Sequence, residues 1–125
     1  MDIVYYSDDG DCPVKEYFNQ LRGRIKLLAD IDSKLVYVKD NRFSPLLSSL
    51  HGHKFFEVKQ RKNEKIVIRI LVYFYKDRMV LLSAFEKPDS YKETRARRDI
   101  EENYKKADIY LNKFLSNPNK YENYN

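Results

Sequence analysis

The sequence predicts an α+β fold: a small, antiparallel-rich β-sheet with an N-terminal helical hairpin packed on one face and a C-terminal helix. Three observations carry that expectation. Residues 54–86 hold three strand-like segments joined by "KNE" (62–64) and "KD" (76–77), connections short enough to make both antiparallel hairpins. Before them, and again after Lys92, apolar side chains recur at spacings of three and four, the period of an amphipathic helix. The helical segments flank the strands rather than alternating with them. At 125 residues the chain can bury one hydrophobic core but not two, so residues 1–116 read as a single domain.

Each element has a local reason. "DIVYY" (2–6) reads as a short strand and "SDDGD" as the turn after it. Asp11 or Cys12 can cap a helix whose first turn contains Pro13, a position that helices tolerate well. Val14, Tyr17, Phe18 and Leu21 give that helix an apolar face. Gly23 separates it from a second helix bearing Leu28, Ile31, Leu35 and Val38 on one side. "NRFSPLLSSLHGH" (41–53) reads as a loop punctuated by Pro45 and Gly52. Strands are expected at about 54–61, 65–75 and 78–86, the connections between them bounding each one. The last helix carries Ile100, Tyr104, Ala107, Leu111 and Phe114 on one face, and residues 117–125 read as a flexible polar tail.

The middle strand, "IVIRILVYFY" (66–75), is apolar at nine of its ten positions, yet it contains Arg69. Arginine is almost never fully buried unless paired. A hairpin turning about Asn63 sets Glu57 opposite Arg69 and Lys59 opposite Val67. A two-residue turn at Lys76-Asp77 sets Ala84 opposite Arg69 on the last strand, leaving open space beside the guanidinium. Side chains alternate across a strand, so Glu57, Lys59, Arg61, Arg69, Leu71 and Tyr73 share one face. Phe56, Val58, Ile66, Ile68, Ile70, Val72 and Phe74 form the other, which is the core face that the helices cover. The expectation is a basic, partly concave sheet face centred on Arg69. Two roles for Arg69 are compatible: a cross-strand salt bridge to Glu57, and capture of a phosphate by the planar guanidinium fork.

Charge is concentrated in the same region. Residues 51–78 hold eight Lys/Arg against three Asp/Glu, a net of +5, whereas residues 1–50 and 79–125 carry −1 and +1. A basic block of this kind attracts polyanions, chiefly nucleic acid, or forms a solvated charged face. No apolar run approaches the ~20 residues needed to span a bilayer, and "MDIVYYSDDGD" lacks the pattern of a signal peptide. The single cysteine, Cys12, forms no internal disulfide and fits a reducing cytoplasm. One Cys and two His cannot make a closed zinc site without carboxylates, and neither a metal nor another cofactor is expected. His51 and His53 flank Gly52 and are acid–base candidates because an ordinary imidazole titrates near neutrality.

The segments "FEVK" (56–59), "IRILVYF" (68–74) and "VLLSAFEK" (80–87), followed by a basic helix, resemble the core of the RelE/HigB-type toxins of bacterial toxin–antitoxin systems, most closely the phage-derived HigB-like subgroup. "CPVKEYFNQL" (12–21) is similar to that family's first helix, and the likeness runs from about residue 3 to about residue 115. The resemblance implies a cytoplasmic, metal-independent endoribonuclease that enters the ribosomal A site and cuts mRNA. Its chemistry would be attack of a ribose 2′-hydroxyl on the adjacent phosphate, assisted by a base, an acid and charge stabilisation. By motif position Lys59 is a base or electrostatic stabiliser, Arg69 stabilises the charged phosphorus centre, Lys87 supplies a further cation, and Tyr91 stacks on a base or moves a proton. Lys54, Arg61, Lys62, Arg95, Arg97 and Arg98 are expected to contact RNA. The sequence departs from the family at "EKPDSYKETR", where Glu86 replaces an expected basic residue and Pro88 alters the backbone beyond Lys87. The implied partners are mRNA, the ribosome and a separate antitoxin, commonly of helix-turn-helix type, in an oligomeric toxin–antitoxin complex. A ParE-like inhibitor of DNA gyrase and a non-catalytic nucleic-acid-binding module are the alternatives.

Overall fold

The computed structural model describes residues 1–88 and 94–124. In chain order the elements are β1 (Asp2–Tyr6), α1 (Pro13–Gln20), α2 (Ile25–Lys39), β2 (Leu47–Ser49), β3 (Phe56–Arg61), β4 (Ile66–Tyr75), β5 (Arg78–Pro88), α3 (Thr94–Ser116) and β6 (Tyr121–Asn123). They make an α+β fold around one six-stranded sheet, in the order β2-β3-β4-β5-β1-β6. All neighbours are antiparallel except β1 and β5.

Alternation along β3 and β4 separates two buried apolar clusters, one on each face of the sheet, where chain length predicts a single core. Val58, Ile68, Ile70, Val72 and Phe74 face α1 and α2, where they meet Val14, Tyr17, Leu21, Leu27, Ile31, Leu35 and Val38. Gly23 turns the chain between the two helices at φ +97°, a left-handed conformation that other residues rarely adopt. The opposite face holds Leu71, Val80, Leu82 and Phe85 against Ile100, Ala107, Leu111 and Phe114 of α3. With both faces covered, β4 is buried along most of its length, which is why it is apolar on both sides rather than alternating.

Four features differ from the sequence expectation. First, β3 and β4 pair two residues out of the expected register, so Lys59 lies opposite Arg69 and Glu57 opposite Leu71. A shift of two conserves parity, and each side chain therefore stays on its expected face. Second, a bulge at Leu71/Val72 moves the β5 register by one, setting Phe85 rather than Ala84 beside Arg69. The extra residue of a bulge reverses which residues face which side, and Ala84 packs with the α1–α2 core instead. Third, the 41–53 loop contains the edge strand β2, paired to β3.

Fourth, residues 117–125 are not a free tail as far as they are described. β6 pairs antiparallel with β1, the Tyr124 ring packs 5.4 Å from that of Tyr5, and its hydroxyl donates to Asp32 at 2.6 Å. Lys120 makes an ion pair with Asp8. Glu122 in this segment lies against the buried Cys12, whose thiol is pushed up to about 12 by burial first and then by the Glu122 carboxylate. A thiol of that kind is unreactive. Deleting residues 117–125 is expected to raise the rate at which a disulfide reagent modifies Cys12 at pH 8 by about tenfold or more, with helical circular dichroism retained. An unchanged rate would mean that β6 does not shield this side of the core.

Candidate nucleic-acid interface

The α3-facing side of the sheet orders the predicted residues in rows. Glu57, Leu71 and Ser83 form one row, Lys59, Arg69 and Phe85 the next, and Arg61, Val67 and Lys87 the last. Alternation thus brings Lys59, Arg61 and Arg69 together, as the sequence predicts, and the β5 bulge adds Lys87, which the expected register sets on the other face. What differs is their depth.

Arg69 is 3% exposed and Glu57 1%. The guanidinium donates to Glu57 Oε1 at 2.8 Å, and the Tyr104 hydroxyl, coming down from α3, donates to Glu57 Oε2 at 2.7 Å. Phe85 closes the side with its ring 6.1 Å from that of Tyr104. The open concave face expected around Arg69 is therefore filled, and the salt-bridge role is the one realised. Lys59 lies at the rim of this cluster, half-exposed, with Nζ 3.8 Å from Glu57 Oε1. Tyr104, assigned from sequence only to the apolar face of α3, is the buried pair's third member. Its spacing from Ile100 and Ala107 gave no signal of that role.

Lys87 donates to Asp99 at 3.1 Å and ties the end of β5 to the start of α3. Lys62 points to the other side of the sheet, where its ammonium lies 2.9 Å from Glu86 Oε2. Tyr17 of α1 donates to the same carboxylate at 2.6 Å. The carboxylate thus joins α1 to the β3–β4 hairpin. Burial alone would raise the Glu86 pKa, but the bonds from Tyr17 and Lys62 outweigh it and hold the group below the usual carboxylate range. Burial, then the bond to Glu86, raises the Tyr17 hydroxyl far above its ordinary value.

Lys54 and Arg61 are exposed, as are Arg95, Arg97 and Arg98 in the first turns of α3. Arg97, Ile100, Glu101 and Tyr104 line a cavity of about 200 Å³. His51 is exposed in its turn, but His53 docks against α3, its Nδ1 3.0 Å from Asp108 Oδ2 and its ring stacked 4.8 Å from Phe55. Asp108 is four residues beyond Tyr104, on the same side of the helix, and it too was missed because its partner is far away in sequence. Tyr91 lies outside the described residues. Among the described residues no group of three or more His, Cys, Asp or Glu could hold a metal ion, and no helix is long and apolar enough to cross a membrane. Comparison with known protein families, with characterised proteins and with solved structures found no match.

Truncating one partner of a buried ion pair leaves an uncompensated charge. Arg69→Ala is therefore expected to lower stability in urea denaturation by about 3–5 kcal/mol, with Arg69→Met/Glu57→Leu recovering most of that loss. A single variant as stable as wild type would mean that water reaches Glu57. The second cluster makes a pH prediction. A carboxylate whose folded pKa is depressed stabilises the protein above its ordinary value of about 4.3, and that stabilisation fades as pH falls through the folded value. Glu86→Gln should thus have a lower urea midpoint at pH 7 and a flatter fall in that midpoint below about pH 5 than wild type. Parallel acid limbs in the two proteins would show that Glu86 titrates normally.

Proposed function

We propose that the protein is an RNA-cleaving toxin of RelE/HigB type that acts in the cytoplasm on mRNA at the ribosome and is neutralised by a separate antitoxin. The observation that supports this best is the exposed set of cations, Lys59 and Arg61 on β3 and Arg95, Arg97 and Arg98 in the first turns of α3, with Lys59 at the rim of the buried Arg69–Glu57–Tyr104 cluster. The first turn of α3 has no acidic residue. Cations at a helix N-terminus oppose its dipole by some tenths of a kcal/mol each, an arrangement that an incoming phosphate relieves.

In this reading a ribose 2′-oxygen attacks the adjacent phosphorus and the 5′-oxygen leaves, so the group to be stabilised is the doubly charged phosphorus centre. Lys59 is the cation best placed for it, with Nζ near Glu57 yet half in solvent. Arg69 then acts through Glu57 as a positioning residue rather than by touching phosphate. Lys87, held by Asp99, orients the start of α3. Tyr91 keeps the stacking or proton-transfer role that the resemblance implies. The burial of Arg69 favours one other reading, a ParE-like toxin that binds gyrase, because binding alone requires no exposed phosphate-stabilising guanidinium.

Expression from a tightly repressed promoter, with mRNA 5′ ends mapped in growing cells, separates these readings. Wild type should arrest growth and create new ends inside translated frames, and Lys59→Ala should lower their frequency by about 10²-fold while remaining folded. Arrest without new ends would favour the gyrase reading. No arrest would leave a nucleic-acid-binding module.

A further inference from the structure

The stripe of α3 that carries Tyr104 also lines the small cavity on the sheet's α3 side. Arg97, Ile100, Glu101 and Tyr104, its lining residues, recur at spacings of three and four and so lie on one side of the helix. Ile100 is buried, Tyr104 half-buried, and Arg97 and Glu101 exposed. The cavity thus combines an apolar and an aromatic side chain with a cation and a carboxylate one helical turn apart. Its volume, about 200 Å³, is below the roughly 300–1,000 Å³ of pockets for drug-sized ligands. That is room for one ring system rather than for a whole nucleotide.

One carboxylate ties this cavity to the candidate phosphate site. Glu57 Oε2 accepts from the Tyr104 hydroxyl at 2.7 Å, and Glu57 Oε1 lies 3.8 Å from Lys59 Nζ. The Tyr104 ring is also met edge-on by His53 and Phe85, with centroids 5.3 and 6.1 Å away. It is a wall fixed before any ligand arrives, so little ordering remains to be done on binding.

The Glu101 carboxylate is a pure acceptor with two oxygens, and two adjacent donors match it best. A guanidinium offers such a pair, but Arg97 lines the same cavity and repels a second cation. The Watson–Crick edge of guanine offers N1–H and the N2 amino group side by side on a neutral ring. That ring can pack against Tyr104 and Ile100 and stack on the Arg97 guanidinium plane. Adenine, cytosine and uracil each place an acceptor next to a donor on that edge, and so present a lone pair to the carboxylate.

We infer that this cavity takes a guanine base of the RNA, with Glu101 as the residue that selects it and the sugar–phosphate backbone leading toward Lys59. The inference rests on the RNA-cleaving reading proposed above and gives that activity a base preference.

Mapping mRNA 5′ ends in growing cells, with the bases around each cut counted, tests it. Wild type should favour guanosine about tenfold at one fixed position beside the cut, and Glu101→Gln should reduce that preference to less than about twofold while the ends themselves persist. Glu102→Gln, an exposed neighbour outside the cavity, should keep the wild-type preference, and both variants should keep wild-type circular dichroism. If wild-type ends show no guanosine preference, or Glu101→Gln retains it, the cavity is overturned and the cleavage reading stands. Loss of the ends themselves in Glu101→Gln would put Glu101 in the cleavage step and overturn its selecting role. If wild type creates no new ends, both readings fall.

Discussion

Removing Arg69 and Glu57 from water costs several kcal/mol per ion, and much of the molecule is arranged to offset it. The guanidinium reaches Glu57 diagonally, because the register sets Lys59, not Glu57, directly across from Arg69. Tyr104 supplies a second donor to the same carboxylate from a different layer. The β5 bulge brings Phe85 in as an apolar wall. Each of these contributions depends on the others, so strand register, bulge and the seating of α3 act together. An ion pair of this kind ties helix to sheet more specifically than apolar contact alone, since only one rotation of α3 brings the Tyr104 hydroxyl within 2.7 Å of Glu57.

The two faces of the sheet use polar side chains in the same manner. On the α3 side Glu57 collects Arg69 and Tyr104, and on the α1 side Glu86 collects Lys62 and Tyr17. In both clusters a carboxylate from a strand bridges a cation from the β3–β4 region and a tyrosine from a helix. The cations predicted as a set therefore divide. Arg69, Lys62 and Lys87 are engaged in holding elements together, whereas Lys59 and the arginines at the start of α3 remain at the surface.

Much of the architecture was legible in local pattern. Pro13 and Gly23 punctuate α1 and α2 where the sequence predicts, and Ile100, Ala107, Leu111 and Phe114 of the predicted apolar face of α3 are buried. The pairing of Arg69 with Glu57 was legible too, although from a register two residues in error, because an even shift leaves both on the same face. The bulge was not. Leu82 is an apolar residue among apolar residues, and nothing in its neighbourhood marks it as the one that the β4–β5 ladder passes over. Nor was β6: "KYENYN" is polar, and its strand exists because β1 offers an open edge and Tyr5 and Asp32 offer partners to Tyr124.

The amino-acid sequence alone thus determined the three helices and four of the six strands, the α+β class, the parity of every side chain on β3 and β4, and the concentration of positive charge around the hairpin. These follow from short-range periodicity and composition. Only the tertiary structure decided that α3 lies over the Arg69 face, that Arg69 is interior while Lys59 is at the rim, and that the α1–α2 corner meets the hairpin. Those outcomes depend on which of several apolar surfaces cover one another. That choice is made by packing across the whole chain, between residues that no local pattern connects.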